Sequence, residues 1–67
     1  MLEKKEINRI IREMIDGIEN RYDYDFCRGY VEMAYLCGAI TETALWEFLG
    51  RITGWLEKHP EYDTRKF

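Results

Sequence analysis

The residues best suited to chemistry are two cysteines and a single histidine, Cys27, Cys37 and His59. A cysteine beside a histidine can form a nucleophilic site, and the same side chains bind zinc. Both cysteines fall on one predicted helix, however, which separates their Cα atoms by about 15 Å, beyond the roughly 7 Å limit for a disulfide. That helix is too apolar to activate a thiolate, and a structural zinc site needs four ligands. We therefore expect buried, reduced thiols, no catalytic residue, no metal and no cofactor.

The composition predicts one small folded domain. The chain has 67 residues, of which 46% are hydrophobic and 15% aromatic, and a chain of this size buries only roughly 60% of the surface of its unfolded form. Its net charge of −3 gives no attraction to nucleic acid or to an anionic membrane. The first residues are charged and lack the apolar segment of a signal peptide, and no run approaches the roughly 20 apolar residues of a membrane span. We expect a cytoplasmic, non-membrane protein.

Apolar residues recur three and four positions apart, which predicts an all-α fold of three helices over about 2–20, 25–37 and 42–58. Polar residues suited to a turn follow Asn20, and Asp23 or Asp25 is expected to cap the second helix. Gly38 fits the left-handed position that ends a helix, and Thr41 fits the cap of the third. Pro60 ends that helix. Residues 59–67 are expected to form a polar tail outside the 1–58 domain, either frayed or docked on a partner.

The central helix is the most informative element, because it is apolar on most sides. One apolar face is expected to contain Phe26, Tyr30 and Met33, and a second patch is expected to contain Tyr24, Val31 and Tyr35. A helix with two apolar faces needs two packing partners. The flanking helices supply part of that cover, and a second copy of the chain or another protein is expected to supply the rest.

The third helix carries a further candidate contact on the side away from its core stripe. Trp46 lies there beside Gly50 and Gly54, whose spacing would allow another backbone to approach closely. An exposed tryptophan beside small residues is typical of an interface anchor. Six residues are therefore predicted to bind a partner: Tyr24, Val31, Tyr35, Trp46, Gly50 and Gly54.

The turn at Gly38 also has the outline of a helix-turn-helix. A DNA-binding regulator of this kind would use the start of the third helix, with Thr43 and Arg51 as contacts. Residues 25–49 contain four acidic side chains and one arginine, which is the wrong sign for a phosphate-contacting surface. Nucleic acid is therefore the disfavoured partner, and a plain helical hairpin explains the same residues. A weak acidic imitation of DNA is a further alternative.

Residues 28–41 resemble the Gly-Tyr, Ala, Gly, Ile-Thr hairpin of many small proteins encoded by phages and prophages. The resemblance covers turn and cap residues, and it implies a size class and a mode of action: such proteins often bind a host protein and block it. The sequence thus predicts a non-enzymatic protein–protein interaction module, an inhibitor or regulator of a host bacterial protein that also pairs with itself.

Overall fold

The fold is all-α, as predicted. The computed structural model describes residues 3–63, and three helices lie within that range. Helix α1 spans Lys4–Asp16, α2 spans Arg21–Leu36 and α3 spans Glu42–Lys58, and a 3₁₀ turn follows over Pro60–Tyr62. The most extensive packing is between α2 and α3. None of the helices within residues 3–63 is both long and apolar enough to cross a membrane.

Helix α1 is shorter than the predicted range of about 2–20. Gly17 closes it, and its amide donates to the carbonyl oxygens of Glu13 at 3.1 Å and Met14 at 3.2 Å. Ile18 is buried beyond this end. Glycine is a poor residue for a helix interior, and burying Ile18 from a non-helical position provides the apolar contact that the longer helix was expected to make.

Helix α2 begins four residues before the predicted start near residue 25, because Asn20 is its cap. The Asn20 Oδ1 atom accepts a hydrogen bond from the Asp23 amide at 2.9 Å, and Asp23 Oδ2 accepts one from the Glu19 amide at 3.2 Å. This reciprocal arrangement satisfies two amides at the helix start. Asp23 therefore lies in the first turn and is not the cap, and Asp25 pairs instead with Arg21.

The turn from α2 to α3 has the predicted geometry. Gly38 has a φ of 77°, and its amide donates to the Tyr35 carbonyl oxygen at 2.9 Å, while the Ala39 amide donates to the Ala34 carbonyl oxygen at 2.8 Å. These two bonds define a Schellman motif, which ends a helix with a left-handed residue. Thr41 then caps α3, since its Oγ1 accepts from the Ala44 amide at 3.1 Å.

The segment after α3 differs from the expected polar tail, because residues 59–63 pack back onto the helices. The rings of His59 and Tyr62 stack on Trp55 with centroid distances of 4.4 and 5.4 Å. Arg21 Nη1 donates to the Tyr62 carbonyl oxygen at 2.9 Å, and Asp63 is buried. This part of the predicted tail belongs to the packed domain; the remainder, residues 64–67, lies outside the described residues.

Candidate functional site

The inward face of α2 contains two of the residues predicted to bind a partner. Tyr24 is 3% exposed and Val31 is fully buried, and Cys27 and Ala34 share this face. Tyr24 also contacts the ring of Trp55 at a centroid distance of 6.2 Å. The expectation that Tyr24 and Val31 form exposed contact surface is therefore wrong, because α1 and α3 enclose this face within one chain.

The opposite face of α2 is the apolar surface that the fold leaves uncovered. Its large side chains are 57% to 76% exposed, and they follow a spacing of four, three, four and three residues, which keeps them on one line along a helix. Tyr22 and Phe26 stack with ring centroids 6.4 Å apart. We call this line the α2 stripe: Tyr22, Phe26, Gly29, Met33 and Leu36.

Gly29 occupies the middle of the α2 stripe and is exposed. A Cβ atom built at this position would have no neighbour within 4 Å. No contact within residues 3–63 therefore requires glycine here, although glycine in a helix interior costs about 1 kcal/mol relative to alanine. The stripe thus has a flat centre between bulky ends.

A groove between α2 and α3 adjoins one end of the stripe. It has a volume of about 300 Å³, and Trp46 on its rim is 63% exposed. Tyr35, which was predicted to contact a partner, lies in its wall and is 37% exposed. We call it the Trp46 groove, and six residues line it: Glu32, Tyr35, Leu36, Leu45, Trp46 and Leu49.

Gly50 and Gly54 follow Trp46 at four-residue intervals on α3, as predicted. A Cβ atom at either glycine would meet nothing within 4 Å. Neither glycine lines the Trp46 groove, and Glu47 and Glu57 are exposed on the same helix. The structure therefore separates these glycines from the concave apolar surface, and their role as a close-contact strip stays a prediction.

Charged residues border the α2 stripe on one side and balance one another. Arg21 Nε lies 3.3 Å from Asp25 Oδ1, and Arg28 Nε lies 3.4 Å from Glu32 Oε1. Both pairs have the four-residue spacing that lets side chains meet on a helix. The charges of this border alternate in sign and their net charge is zero. The border therefore gives no electrostatic attraction to a strongly charged partner and no barrier to an apolar one.

The cysteines and the histidine lie in different environments. Cys27 is 1% exposed, and burial raises the pKa of its thiol from 9.0 to about 11. Cys37 is exposed; the expectation of its burial is wrong, since it caps the C-terminal end of α2 outside the core. His59 Nδ1 lies 2.8 Å from the Trp55 carbonyl oxygen. Within residues 3–63, no cluster of three potential metal ligands is present.

The start of α3, which a helix-turn-helix would place against DNA, is acidic. Glu42, Thr43 and Glu47 are exposed there, and Glu42 Oε1 lies 3.5 Å from Trp46 Nε1. Arg51, the first arginine of α3, has its Nη2 3.6 Å from Asp16 Oδ1 on α1. The helical hairpin therefore has the outline of the motif with an acidic start to α3, and DNA binding stays the disfavoured alternative.

The α2 stripe could have been found in the sequence from its heptad-like spacing alone. Residues 22, 29 and 36 repeat every seven positions, and so do residues 26 and 33, which is typical of a helix face that pairs with another helix. Grouping Phe26 and Met33 with Tyr30 as one apolar face concealed this line. No protein-family model matches the chain, and no curated protein and no solved structure matches it either.

Proposed function

We propose that the protein is a non-enzymatic interaction module that acts by binding another protein. The observation that carries this proposal is the distribution of exposed apolar side chains over the helices. Within residues 3–63, six large apolar side chains are exposed; five lie on α2, one lies near the start of α3, and none lies on α1. A contiguous apolar patch on a soluble domain is typical of an interaction site.

The Trp46 groove is the part of this surface that we assign to a partner protein. It is concave and mainly apolar, and its rim carries an exposed tryptophan beside a tyrosine. Tryptophan and tyrosine are enriched among residues that dominate binding energy, since they bury a large area at a low entropy cost. An apolar helix or an aromatic side chain of the partner fits such a groove.

The resemblance of residues 28–41 to small phage and prophage proteins supports the class of partner. We propose that the partner is a host bacterial protein, that binding blocks it, and that the complex forms in the cytoplasm. Occlusion requires only a stable contact, and a chain of 67 residues is large enough to cover a partner's binding site.

The test compares Trp46→Glu with Thr43→Glu, which places the same charge on an exposed position outside the Trp46 groove. The two tagged variants and the wild-type chain are used to capture proteins from a bacterial lysate, and each captured protein is purified and titrated. We expect one protein to bind the wild-type chain and the Thr43 variant equally. The Trp46 variant should bind it at least about tenfold more weakly.

Circular dichroism provides the control for folding, because Trp46 is 63% exposed and its replacement should leave the helices intact. Equal binding by all three chains would contradict the assignment of the groove. If the wild-type chain captures no protein, the proposed function is wrong.

A further inference from the structure

We infer that the α2 stripe is the contact between two copies of this chain, which pair their α2 helices antiparallel and cross at Gly29. This inference rests on the proposed function, because it names the partner of one part of the same apolar surface. The stripe lies opposite the core face of α2, so a second α2 helix can lie along it without displacing α1 or α3 of either copy.

The order of side chain sizes along the stripe favours pairing with itself. Gly29 is central, Phe26 and Met33 lie on either side of it, and Tyr22 and Leu36 lie at the ends. An antiparallel pair places Tyr22 beside Leu36 of the other copy and Phe26 beside Met33. Each contact then joins an aromatic ring to an aliphatic or thioether side chain, and sulfur packs favourably against such rings. The bare centre brings the two backbones close.

The charged border is compatible with the same arrangement. With a crossing at Gly29 and a rise of about 1.5 Å per residue, Arg28 of one copy lies about 3 Å along the helix axis from both Arg28 and Glu32 of the other copy, and Asp25 lies about 1.5 Å from that Glu32. Asp25 is already paired with Arg21 at 3.3 Å, so the acidic groups that meet across the dimer are each accompanied by an arginine. Antiparallel helices also align their dipoles in opposite directions, which is favourable.

The available area predicts a weak dimer. Aromatic side chains bury about 150–250 Å² each when fully covered, and Tyr22 and Phe26 are 76% and 57% exposed. With Met33 and Leu36, the stripe offers on the order of 400 Å² per copy, about half of a standard interface. The dissociation constant is therefore expected in the micromolar range. A lipid surface would instead require cationic residues beside the stripe, and its border sums to zero.

Sedimentation equilibrium across a micromolar concentration series tests the pairing. The wild-type chain should approach twice its 8.1 kDa mass as concentration rises. Met33→Glu places a carboxylate within the contact, opposite Phe26 of the other copy, and should weaken the dimer at least about tenfold. Thr43→Glu adds the same charge away from the stripe and should leave the dimer unchanged. Met33 is 57% exposed, so its replacement should not unfold the monomer.

Cross-linking with a short bis-maleimide tests the orientation. Cys37 is the exposed thiol of the described chain, whereas Cys27 is buried. In an antiparallel dimer the two Cys37 residues lie about 24 Å apart along the axis, whereas position 22 lies about 1.5 Å along the axis from Cys37 of the other copy. Tyr22→Cys should therefore give a covalent dimer, and the wild-type chain should not. Adding Cys37→Ser to Tyr22→Cys should abolish the product.

Each outcome decides between the alternatives. A chain that stays monomeric at high micromolar concentration overturns the self-pairing, as does a dimer that is unaffected by Met33→Glu. Efficient cross-linking of the wild-type chain through Cys37 overturns the antiparallel arrangement. Trp46 lies outside the α2 stripe, although Leu36 belongs to both the stripe and the Trp46 groove. The proposed function therefore stands when a monomer retains Trp46-dependent capture, and it falls when a dimer lacks that capture.

Discussion

The two faces of α2 have similar compositions and opposite environments. The inward face carries Tyr24 and Val31, which are 3% and 0% exposed, and the outward face carries Tyr22 and Met33, which are 76% and 57% exposed. The stability of a single chain accounts for the first face, because its side chains are packed by α1 and α3. The stability of a single chain does not account for the second face. Helix α1 has a charged outer side, which shows that a helix of this chain packs into the fold without a second apolar face.

This difference separates residues that fold the protein from residues that are available for binding. Substitutions on the inward face should lower the free energy of unfolding, and matched substitutions on the outward face should leave it nearly unchanged. The chain contains pairs of chemically similar residues across this divide, which allows each comparison to be made within one protein.

The largest effect is expected for Val31→Asp. Val31 is fully buried, and an unpaired carboxylate in that position should cost at least about 4 kcal/mol, enough to unfold a domain of this size. Met33→Asp introduces the same charge two residues later on the outward face and should change stability by no more than about 0.5 kcal/mol. Urea denaturation followed by circular dichroism, at low protein concentration, measures both. Equal destabilisation would contradict the division of α2 into two faces.

The two tryptophans provide the next comparison. Trp55 packs against Tyr24, His59 and Tyr62, so Trp55→Ala should cost about 3 kcal/mol and release the segment that follows α3. Trp46 is 63% exposed, and Trp46→Ala should cost no more than about 0.5 kcal/mol. Thermal unfolding measures the cost, and hydrogen exchange of the Tyr62 and Asp63 amides reports release. A protected Asp63 amide in the Trp55 variant would show that the stack does not hold this segment.

The two cysteines extend the comparison to pH. Burial raises the pKa of Cys27 to about 11, so the unfolded chain loses its thiol proton at lower pH than the folded chain does. Stability contributed by the protonated thiol is complete below pH 9.0 and should fall by about 2 kcal/mol as pH rises to 11. The Cys27→Ala variant should lack this loss, whereas Cys37→Ala should retain it. Parallel urea titrations across this pH range test the difference, and identical slopes for all three chains would refute it.

Local signals made much of the fold predictable from the sequence. Gly38 and Thr41 fix the ends of α2 and α3 through hydrogen bonds to residues within five positions, and the bounds of α3 were predicted correctly. The end of α1 was predicted too late, because the apolar periodicity continues through Ile18 even though Gly17 ends the helix. Ile18 is buried although it lies after the helix, so it continues the apolar spacing of α1 without belonging to a further helical turn.

The candidate site was less predictable because periodicity does not indicate which face of an apolar helix points inward. Val31 and Met33 are both plausible core residues when α2 is considered alone. The choice depends on where α1 and α3 lie, which is a tertiary property. Trp46 and Tyr35 are exposed, as expected, although Tyr35 was grouped with Tyr24 and Val31, which the flanking helices bury.

The smallest effects concern the two glycines at the centre and the end of α2, and they sharpen the comparison most. Gly38 has a φ of 77°, so Gly38→Ala should destabilise the chain by about 1 kcal/mol. Gly29 is helical with an open Cβ position, so Gly29→Ala should stabilise the monomer by about 1 kcal/mol. The methyl group would also separate two α2 helices that cross there, so the same variant should dimerise less. Unfolding at low protein concentration measures the stability of the monomer, and sedimentation at high concentration measures the dimer. A Gly29→Ala chain that is more stable but dimerises less would show that Gly29 serves the contact between copies, whereas Gly38 serves the backbone conformation of its turn. A Gly29→Ala chain that dimerises as well as the wild-type chain would place the crossing point elsewhere.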